Sequence, residues 1–363
     1  MSRVLHQLRV YLQQPLLPSH HVREKYPWTQ RITTLRALLL ALLLVLSWVY
    51  LQLLVRYGSI SPIATAIYTR PYHGRGAHDF PPFQSPAWRP DFRVVVSLTT
   101  TPNRLDKVMD SVRSLTAQSL IPDQIYVNIP RGPMKRHPER SYDEVTMPPE
   151  LEQLAPLVKI NRCVDDGPAT KLLGALRLED DPKTLIITLD DDFKYPPKLV
   201  EALTWEAVKK KDDVLGVCGW GMLPVWHQVG IVPAYVPYMM RPNGRYVDIL
   251  QACCGNAYRR GFFHDVEAFA DIPGVCVTVD DVWIAGYLRT VESRRSAIIS
   301  KRLDPEDPPW KKAEAASAAK KMTLSSYNHE HQIHYKCVQA IEKKFEKRWT
   351  RNFEEPEEKE DDA

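Results

Sequence analysis

Three consecutive aspartates, Asp190, Asp191 and Asp192, end an apolar, β-branched run from Thr184 to Leu189. Carboxylates are costly to hold at the end of a buried strand unless a cation or hydrogen-bond donors meet them. Side chains alternate along an extended chain, so Asp190 and Asp192 share one face and Asp191 points to the other. An Asp-x-Asp pair of hard oxygens suits Mn²⁺ or Mg²⁺ and, through the metal, a diphosphate. The competing reading is a solvated acidic turn, because Lys194 and Tyr195-Pro-Pro197 follow at once.

Three further groups could serve the same chemistry. In Ser97-Leu-Thr-Thr-Thr-Pro-Asn-Arg104 a strand runs into small hydroxyls and a helix start. Thr99 and Thr100 could hold a ligand and Arg104 could reach a phosphate. The plainer reading is a helix capped by Thr101 or Asn103, with Pro102 in its first turn. In Val164-Asp-Asp-Gly-Pro-Ala-Thr-Lys171, residues Asp165, Asp166 and Gly167 make a turn and Lys171 falls in the first turn of a helix. The positive helix end disfavours a cation there, so Lys171 either meets an anionic ligand or faces solvent. Asp280 and Asp281 precede the apolar run from Val282 to Leu288. One of the pair can cap the helix while the other acts as a general base, or both simply cap. Three histidines, His329, His331 and His334, lie close together, but Ile333 occupies the place where a zinc-protease helix requires its second histidine. One of them could complete a metal site; otherwise they are surface histidines.

The elements that must position these residues alternate in type. Strands are expected over 93–98, 124–129, 158–162, 184–189 and 214–218, with helices over 103–118, 169–178 and 197–210 between them. That order argues an α/β fold, a mostly parallel central sheet flanked by helices, with ligands at the carboxyl ends of the strands. The stretch from Trp220 to Asp248, rich in proline, tyrosine and methionine, reads as long loops.

Of the 363 residues, 44% are hydrophobic and 25% charged, and the formal charge of +4 is too small to suggest a nucleic-acid partner. An uncharged run from Ala37 to Val55 has the length of a membrane span. Arg3, Arg9, Arg23, Lys25, Arg31 and Arg36 precede it and only Arg56 follows closely, which places the amino terminus in the cytosol. The alternative is a cleaved signal peptide, against which the length of the apolar core counts. The expected organisation is a cytosolic tail 1–36, a signal anchor 37–55, a proline-rich stem 56–92, a catalytic body 93–350 and an acidic tail 351–363. Cys163, Cys218, Cys253, Cys254, Cys276 and Cys337 all follow the span, on the side where disulfides form. They show no repeated Cys-x-x-Cys pairs, and the adjacent Cys253 and Cys254 are expected to bond elsewhere, if at all, rather than to each other.

Taken in order, Ser97-Leu-Thr-Thr-Thr-Pro102, Asp166-Gly-Pro-Ala-Thr-Lys171, Leu189-Asp-Asp-Asp-Phe193 and Asp280-Asp281 resemble the motifs of the nucleotide-sugar-dependent glycosyltransferases of the GT-A fold, family-2-like. The resemblance covers roughly 93–300. It implies that Thr99, Thr100, Arg104, Asp165, Asp166, Gly167, Lys171, Asp190 and Asp191 contact the donor nucleotide-sugar. It further implies that Asp192 and Asp190 hold Mn²⁺ or Mg²⁺ and that Asp281, beside Asp280, is the base of an inverting transfer. Asp280 stands where the family has Glu, and the later Gln-x-x-Arg-Trp signature is missing, which argues against a processive synthase. The expected activity moves one sugar, from a UDP-sugar by preference, to a hydroxyl of a glycan, glycoprotein or glycolipid. Such an enzyme would be a single-pass type II protein of the Golgi or endoplasmic reticulum membrane with a lumenal catalytic domain. Trp220, Trp226, Tyr235 and Tyr238 are candidates for stacking on acceptor sugars or for core packing. The rival functions are an inactive membrane-tethered scaffold and another metal-dependent phosphoryl-transfer enzyme.

Overall fold

The computed structural model describes residues 35–48, 88–222, 235–237, 246–299, 303, 305–316 and 324–348. The chain divides into two compact units, Met1–Ser61 and Pro62–Ala363. In the first, a helix covers 35–48, and its leucines are exposed. Among the described residues no helix is long and apolar enough to cross a membrane. The expected span 37–55 continues into 49–55, outside the described residues, as do most of the stem 56–92 and the whole of 351–363.

The second unit is built on an eight-stranded sheet. In chain order its elements are β1 (Val94–Thr99), α1 (Met109–Thr116), β2 (Gln124–Pro130), the hairpin β3 (Pro133–Met134) and β4 (His137–Ser141), α2 (Pro149–Gln153) and β5 (Val158–Cys163). Then follow α3 (Thr170–Leu176), β6 (Leu185–Thr188), α4 (Leu199–Lys209), β7 (Asp213–Gly216), β8 (Gly219–Met222), β9 (Tyr235–Pro237), β10 (Tyr246–Val247), β11 (Ile249–Leu250) and β12 (Asn256–Arg259). The last are α5 (Val266–Ala270), α6 (Asp280–Thr290), β13 (Arg295–Ile298), α7 (Pro309–Ala316), α8 (Leu324–Glu330) and α9 (Ile333–Lys344).

The strand order is β10-β13-β7-β12-β6-β1-β2-β5. β1 pairs in parallel with both β2 and β6, and β2 with β5, whereas β12 runs antiparallel between β6 and β7. The sheet is thus mixed but mostly parallel. The chain moves outward from β1 through β2 to β5 and returns to the other side of β1 as β6. That reversal puts the switch point of the strand order between β1 and β6, at whose carboxyl ends open α/β sheets receive ligands. The region expected as loops around 220–248 instead contributes a three-stranded sheet, β11-β8-β9, because Gly219 and Trp220 find antiparallel partners in Leu250 and Ile249.

β1 explains why its sequence is an unbroken apolar run. Val94, Val96 and Leu98 join the core on the α1 and α4 side, while Val95 faces α3 and α6. A strand covered on both faces has no solvent side to make polar. Each fully buried Val, Leu or Ile contributes roughly 1.5–3 kcal/mol by leaving water. Two disulfides, Cys218–Cys254 and Cys276–Cys337, tie later segments to this frame, and Cys163 and Cys253 are free. Cys253 and Cys254 are indeed not bonded to each other.

Candidate functional site

The aspartate triplet lies in a turn just beyond β6, and segments from β1, α3 and the start of α6 gather around it. From β1, Thr100 is buried and its hydroxyl donates to Asp191 Oδ2 at 2.6 Å. Arg104, in a short 3₁₀ turn (Pro102–Arg104), spans two carboxylates, with Nη1 3.1 Å from Asp191 Oδ1 and 3.1 Å from Asp192 Oδ2. Thr101 makes no side-chain cap here, so the capping reading of this motif fails; its hydroxyl bonds Asn103 instead. Thr99 donates to the Asn128 carbonyl and does not reach the triplet.

The second segment is α3. Lys171 occupies its first turn and is buried, not solvent-facing. Its Nζ donates to Asp190 Oδ1 at 2.7 Å and lies 3.1 Å from Asp280 Oδ2. Asp280 Oδ2 is itself buried and lacks a hydrogen bond of good geometry, so its contact with Lys171 is purely electrostatic. The anions that Lys171 meets are therefore two of the chain's own carboxylates. α3 can sit this close because residue 174 is glycine: a Cβ there would fall 2.2 Å from Asn128 Oδ1. Ser97 fixes the register by donating to the Lys171 carbonyl.

The turn that leads into α3 is held by its own aspartates. Asp165 accepts from the Gly167 and Lys135 amides, and Asp166, buried, pairs with Arg177 at 2.6 Å. Gly167 has a φ of +65°, a left-handed conformation that L residues adopt at a cost, and a Cβ would meet Val277 Cγ1 at 3.0 Å. Gly167 thereby lets this turn pack against the stretch of chain that delivers Asp280 and Asp281.

The third segment is the start of α6. Neither carboxylate caps that helix: Val279 occupies the cap position without a side-chain bond, and Asp281 Oδ1 accepts the Ala252 amide at 3.1 Å. Asn328 of α8 braces the approach, exchanging hydrogen bonds of 2.8 Å with the Thr278 side chain and carbonyl. The Cys276–Cys337 disulfide braces it again.

Burial and charge set the titration of this cluster. Burial acts to lower Lys171, but Asp190, Asp280 and Asp281 hold it well above an ordinary lysine. Burial acts to raise Asp190, yet Lys171, with help from Arg104 and Lys311, keeps it below the usual carboxylate range. Asp191 is pushed up to about 6, by burial first and by Asp192 and Asp190, against the pull of Arg104 and Thr100. Asp281 is raised well above an ordinary carboxyl, again by burial first and then by Asp280.

Two groups here carry little signal in the sequence. Lys311 of α7 reaches back to Asp192 Oδ2 at 3.1 Å, with its ammonium 3.3 Å from the centre of the Phe193 ring. Antiparallel backbone bonds between Lys194 and Glu306, 2.8 Å each, secure the segment that brings it. The Tyr195 hydroxyl accepts from the Asp190 amide at 2.8 Å and contacts the Cys253 carbonyl at 3.2 Å, which pins the turn. Tyr195-Pro-Pro197 reads in the sequence only as the turn after the triplet, and nothing marks Lys311.

His331 is exposed and stacks on Tyr327 at 4.2 Å, and burial lowers His334 to about 4. The side chains of His329, Trp220, Trp226, Tyr235 and Tyr238 lie outside the described residues.

Among the described residues no group of three or more His, Cys, Asp and Glu side chains is gathered to hold a metal. Asp190 and Asp192 nevertheless suit one that is completed by its ligand. Both remain partly open to solvent, 29% and 20% exposed. A magnesium-type ion is ordinarily bound through one or two carboxylates together with substrate phosphates and water. No protein-family model and no curated protein matches this chain.

Proposed function

We propose that this chain transfers a single glycosyl group from a nucleoside diphosphate sugar, by preference a UDP-sugar, to an acceptor hydroxyl. The observation that carries the reading is the bridge made by Lys171: one buried ammonium joins Asp190 of the triplet to Asp280 beside Asp281. Two acidic motifs far apart in sequence thereby form one cluster at the carboxyl end of a parallel sheet. The motif order described above supports assigning the GT-A fold and family-2-like chemistry to that cluster.

The residues divide the work by their surroundings. Lys171, enclosed by carboxylates, does not contact the donor; it keeps Asp190 ionised. Arg104 and Lys311 are partly exposed on the cleft side of Asp192 and neutralise the diphosphate as it leaves. Asp190 and Asp192 would hold a divalent cation, Mn²⁺ or Mg²⁺, which would supply further Lewis-acid neutralisation of that group. Asp281 takes the proton of the acceptor hydroxyl as its oxygen bonds to the anomeric carbon and the bond from that carbon to the diphosphate breaks. A carboxyl with raised proton affinity is the stronger base once ionised, and the Lys171 ammonium and the Ala252 amide favour that ionised form. Displacement by a placed base gives inversion.

The apolar, exposed helix 35–48 supports a membrane anchor over 37–55, because a helix that is hydrophobic on all sides needs an apolar surrounding. On that reading the protein is a type II enzyme of the Golgi or endoplasmic reticulum, acting on a glycan, glycoprotein or glycolipid. The test is release of nucleoside diphosphate by the full chain in mild detergent, from a panel of nucleotide sugars with Mn²⁺, Mg²⁺ or EDTA. Failure of every donor to bind or be cleaved would refute the reading, and release of inorganic phosphate without free or transferred sugar would point to phosphoryl transfer.

A further inference from the structure

A cavity of about 270 Å³ lies where α1, the segment leading into α2 and the start of α7 come together. It is near the lower end of ligand pockets, which begin at about 300 Å³, and has room for one small ring. None of its lining residues belongs to the cluster around the triplet, yet the two share an element. Trp310 lines the cavity, and the next residue of α7, Lys311, pairs with Asp192. Met109, Pro148, Pro149 and the Trp310 indole supply apolar surface, and Asp106 and Asp110 supply carboxylates.

The cations of the lining are already engaged. Lys107 donates to Glu314 of α7 at 2.6 Å, and its ammonium stands 4.8 Å from the centre of the Trp310 ring. Arg113 pairs with Glu150, the third carboxylate of the lining. Three polar groups are left over. Among the described residues the Asp106 and Asp110 side chains make no hydrogen bond or ion pair. Asp110 gains from the positive end of α1, in whose first turn it lies, but that leaves its oxygens open. The Trp310 Nε1 is buried without a hydrogen-bond partner, although a buried indole N–H ordinarily finds one.

These leftovers select among ligands. An inorganic anion would serve the indole and be repelled by the carboxylates; a bare cation would serve the carboxylates and leave the indole unpaired. A hydroxyl answers both, because it accepts from an N–H and donates to a carboxylate. A sugar ring carries hydroxyls around its edge and C–H groups on its faces, which suit the proline, methionine and indole surface. We infer that this cavity binds one neutral sugar ring, with Trp310 Nε1 donating to one hydroxyl and Asp106 and Asp110 accepting from others. Nε1 is covered, so the indole turns slightly to meet its acceptor. The site uses neither nucleotide nor metal and therefore stands or falls apart from the donor reading. A ring seated against Trp310 bears on the helix whose Lys311 neutralises Asp192.

The test is saturation-transfer NMR with calorimetry on the full chain, in EDTA and a detergent without a sugar headgroup. The probes are the methyl glycosides of glucose, galactose, mannose and N-acetylglucosamine, with agmatine as the basic control. Wild type is expected to bind at least one glycoside at roughly millimolar affinity, the scale for a ligand of about a dozen heavy atoms. Asp110→Asn should weaken that binding by roughly tenfold or more, as loss of a charged acceptor does. Trp310→Phe keeps an aromatic ring and removes the N–H, and should weaken it by roughly threefold to tenfold. No glycoside bound by wild type, unchanged affinity in either variant, or agmatine bound in place of the glycosides overturns the inference. Should Trp310→Phe fail to fold, Asp110→Asn decides the question by the same readings. Glycoside binding of this kind without turnover of any nucleotide sugar would refute the donor reading and leave this site standing. Turnover without glycoside binding would do the reverse.

Discussion

Replacing Lys171 with methionine removes the charge that joins the two acidic motifs while nearly preserving the volume. The lysine side chain is 5% exposed and Asp280 10% exposed, so the Asp280 charge left behind cannot simply hydrate. At an effective dielectric near 20, contacts of 2.7 and 3.1 Å correspond to gross attractions of about 6 and about 5 kcal/mol. The net loss is smaller, because the cost of burying the ammonium disappears with it and Asp190 can turn toward solvent. Breaking a buried pair by removing one partner costs about 3–5 kcal/mol, and Lys171→Met is expected in that range at pH 7.5. The pH dependence is the sharper test. In wild type, the raised Lys171 contributes stability that is present below its ordinary value of 10.5 and is lost only as pH rises through its higher folded value. The depressed Asp190 contributes stability that is present above its ordinary 3.8 and is lost as pH falls through its lower folded value. Neither contribution changes between pH 5 and 8. In Lys171→Met the carboxylates bind protons more tightly, so the deficit should be largest at pH 7.5 and shrink toward pH 5. Urea unfolding of the full chain in detergent and EDTA measures it, and adding Asp280→Asn should recover about half. A loss under about 1 kcal/mol, or the same loss at both pH values, would refute the bridge as an energetic link.

Asp281→Asn should abolish most turnover, by roughly a hundredfold or more, while leaving UDP affinity within about twofold. It should also stabilise the fold above neutral pH by roughly 0.5–2 kcal/mol, because the stability associated with the Asp281 proton is full below 3.8 and lost as pH rises through the raised value; a destabilised variant in urea at pH 8 would contradict this. Replacing Cys276 and Cys337 together with serine opens a crosslink of separation 61 and should lower unfolding stability by about 4 kcal/mol, read from the urea midpoint.

The parts of this arrangement that sequence could reveal are the local ones. Val94 to Thr99 reads as a strand because both faces are buried, and the helices over 169–178 and 197–210 read correctly because the apolar faces of α3 and α4 serve a single sheet. What sequence could not reveal are pairings closed by the return of the chain. Lys171 stands out as a cation at a helix start, but nothing near it tells that its anions are Asp190 and Asp280. Asp280 and Asp281 look like caps, and local geometry would permit that; the Ala252 amide and the buried ammonium are stronger claims on them. Lys311 sits in a polar helix like any surface lysine, and only the Lys194–Glu306 bridge aims it at Asp192.

The separation of Asp191 from its neighbours was expected from strand alternation, and the structure reaches a similar outcome by another cause. β6 ends at Thr188, so the triplet is no longer extended and alternation does not govern it. Burial does. Asp191 is the carboxylate taken inward, where Thr100 and Arg104 tie the end of β6 to the end of β1. Asp190 and Asp192 are left partly exposed, each balanced by a cation from a different segment, Lys171 of α3 and Lys311 of α7. Removing the inner carboxylate would therefore loosen Arg104, which also serves Asp192, whereas removing either outer one leaves the tie between the two strands in place. The triplet is one structural carboxylate flanked by two that stay partly open to solvent, and that division follows from which of the three the sheet can bury.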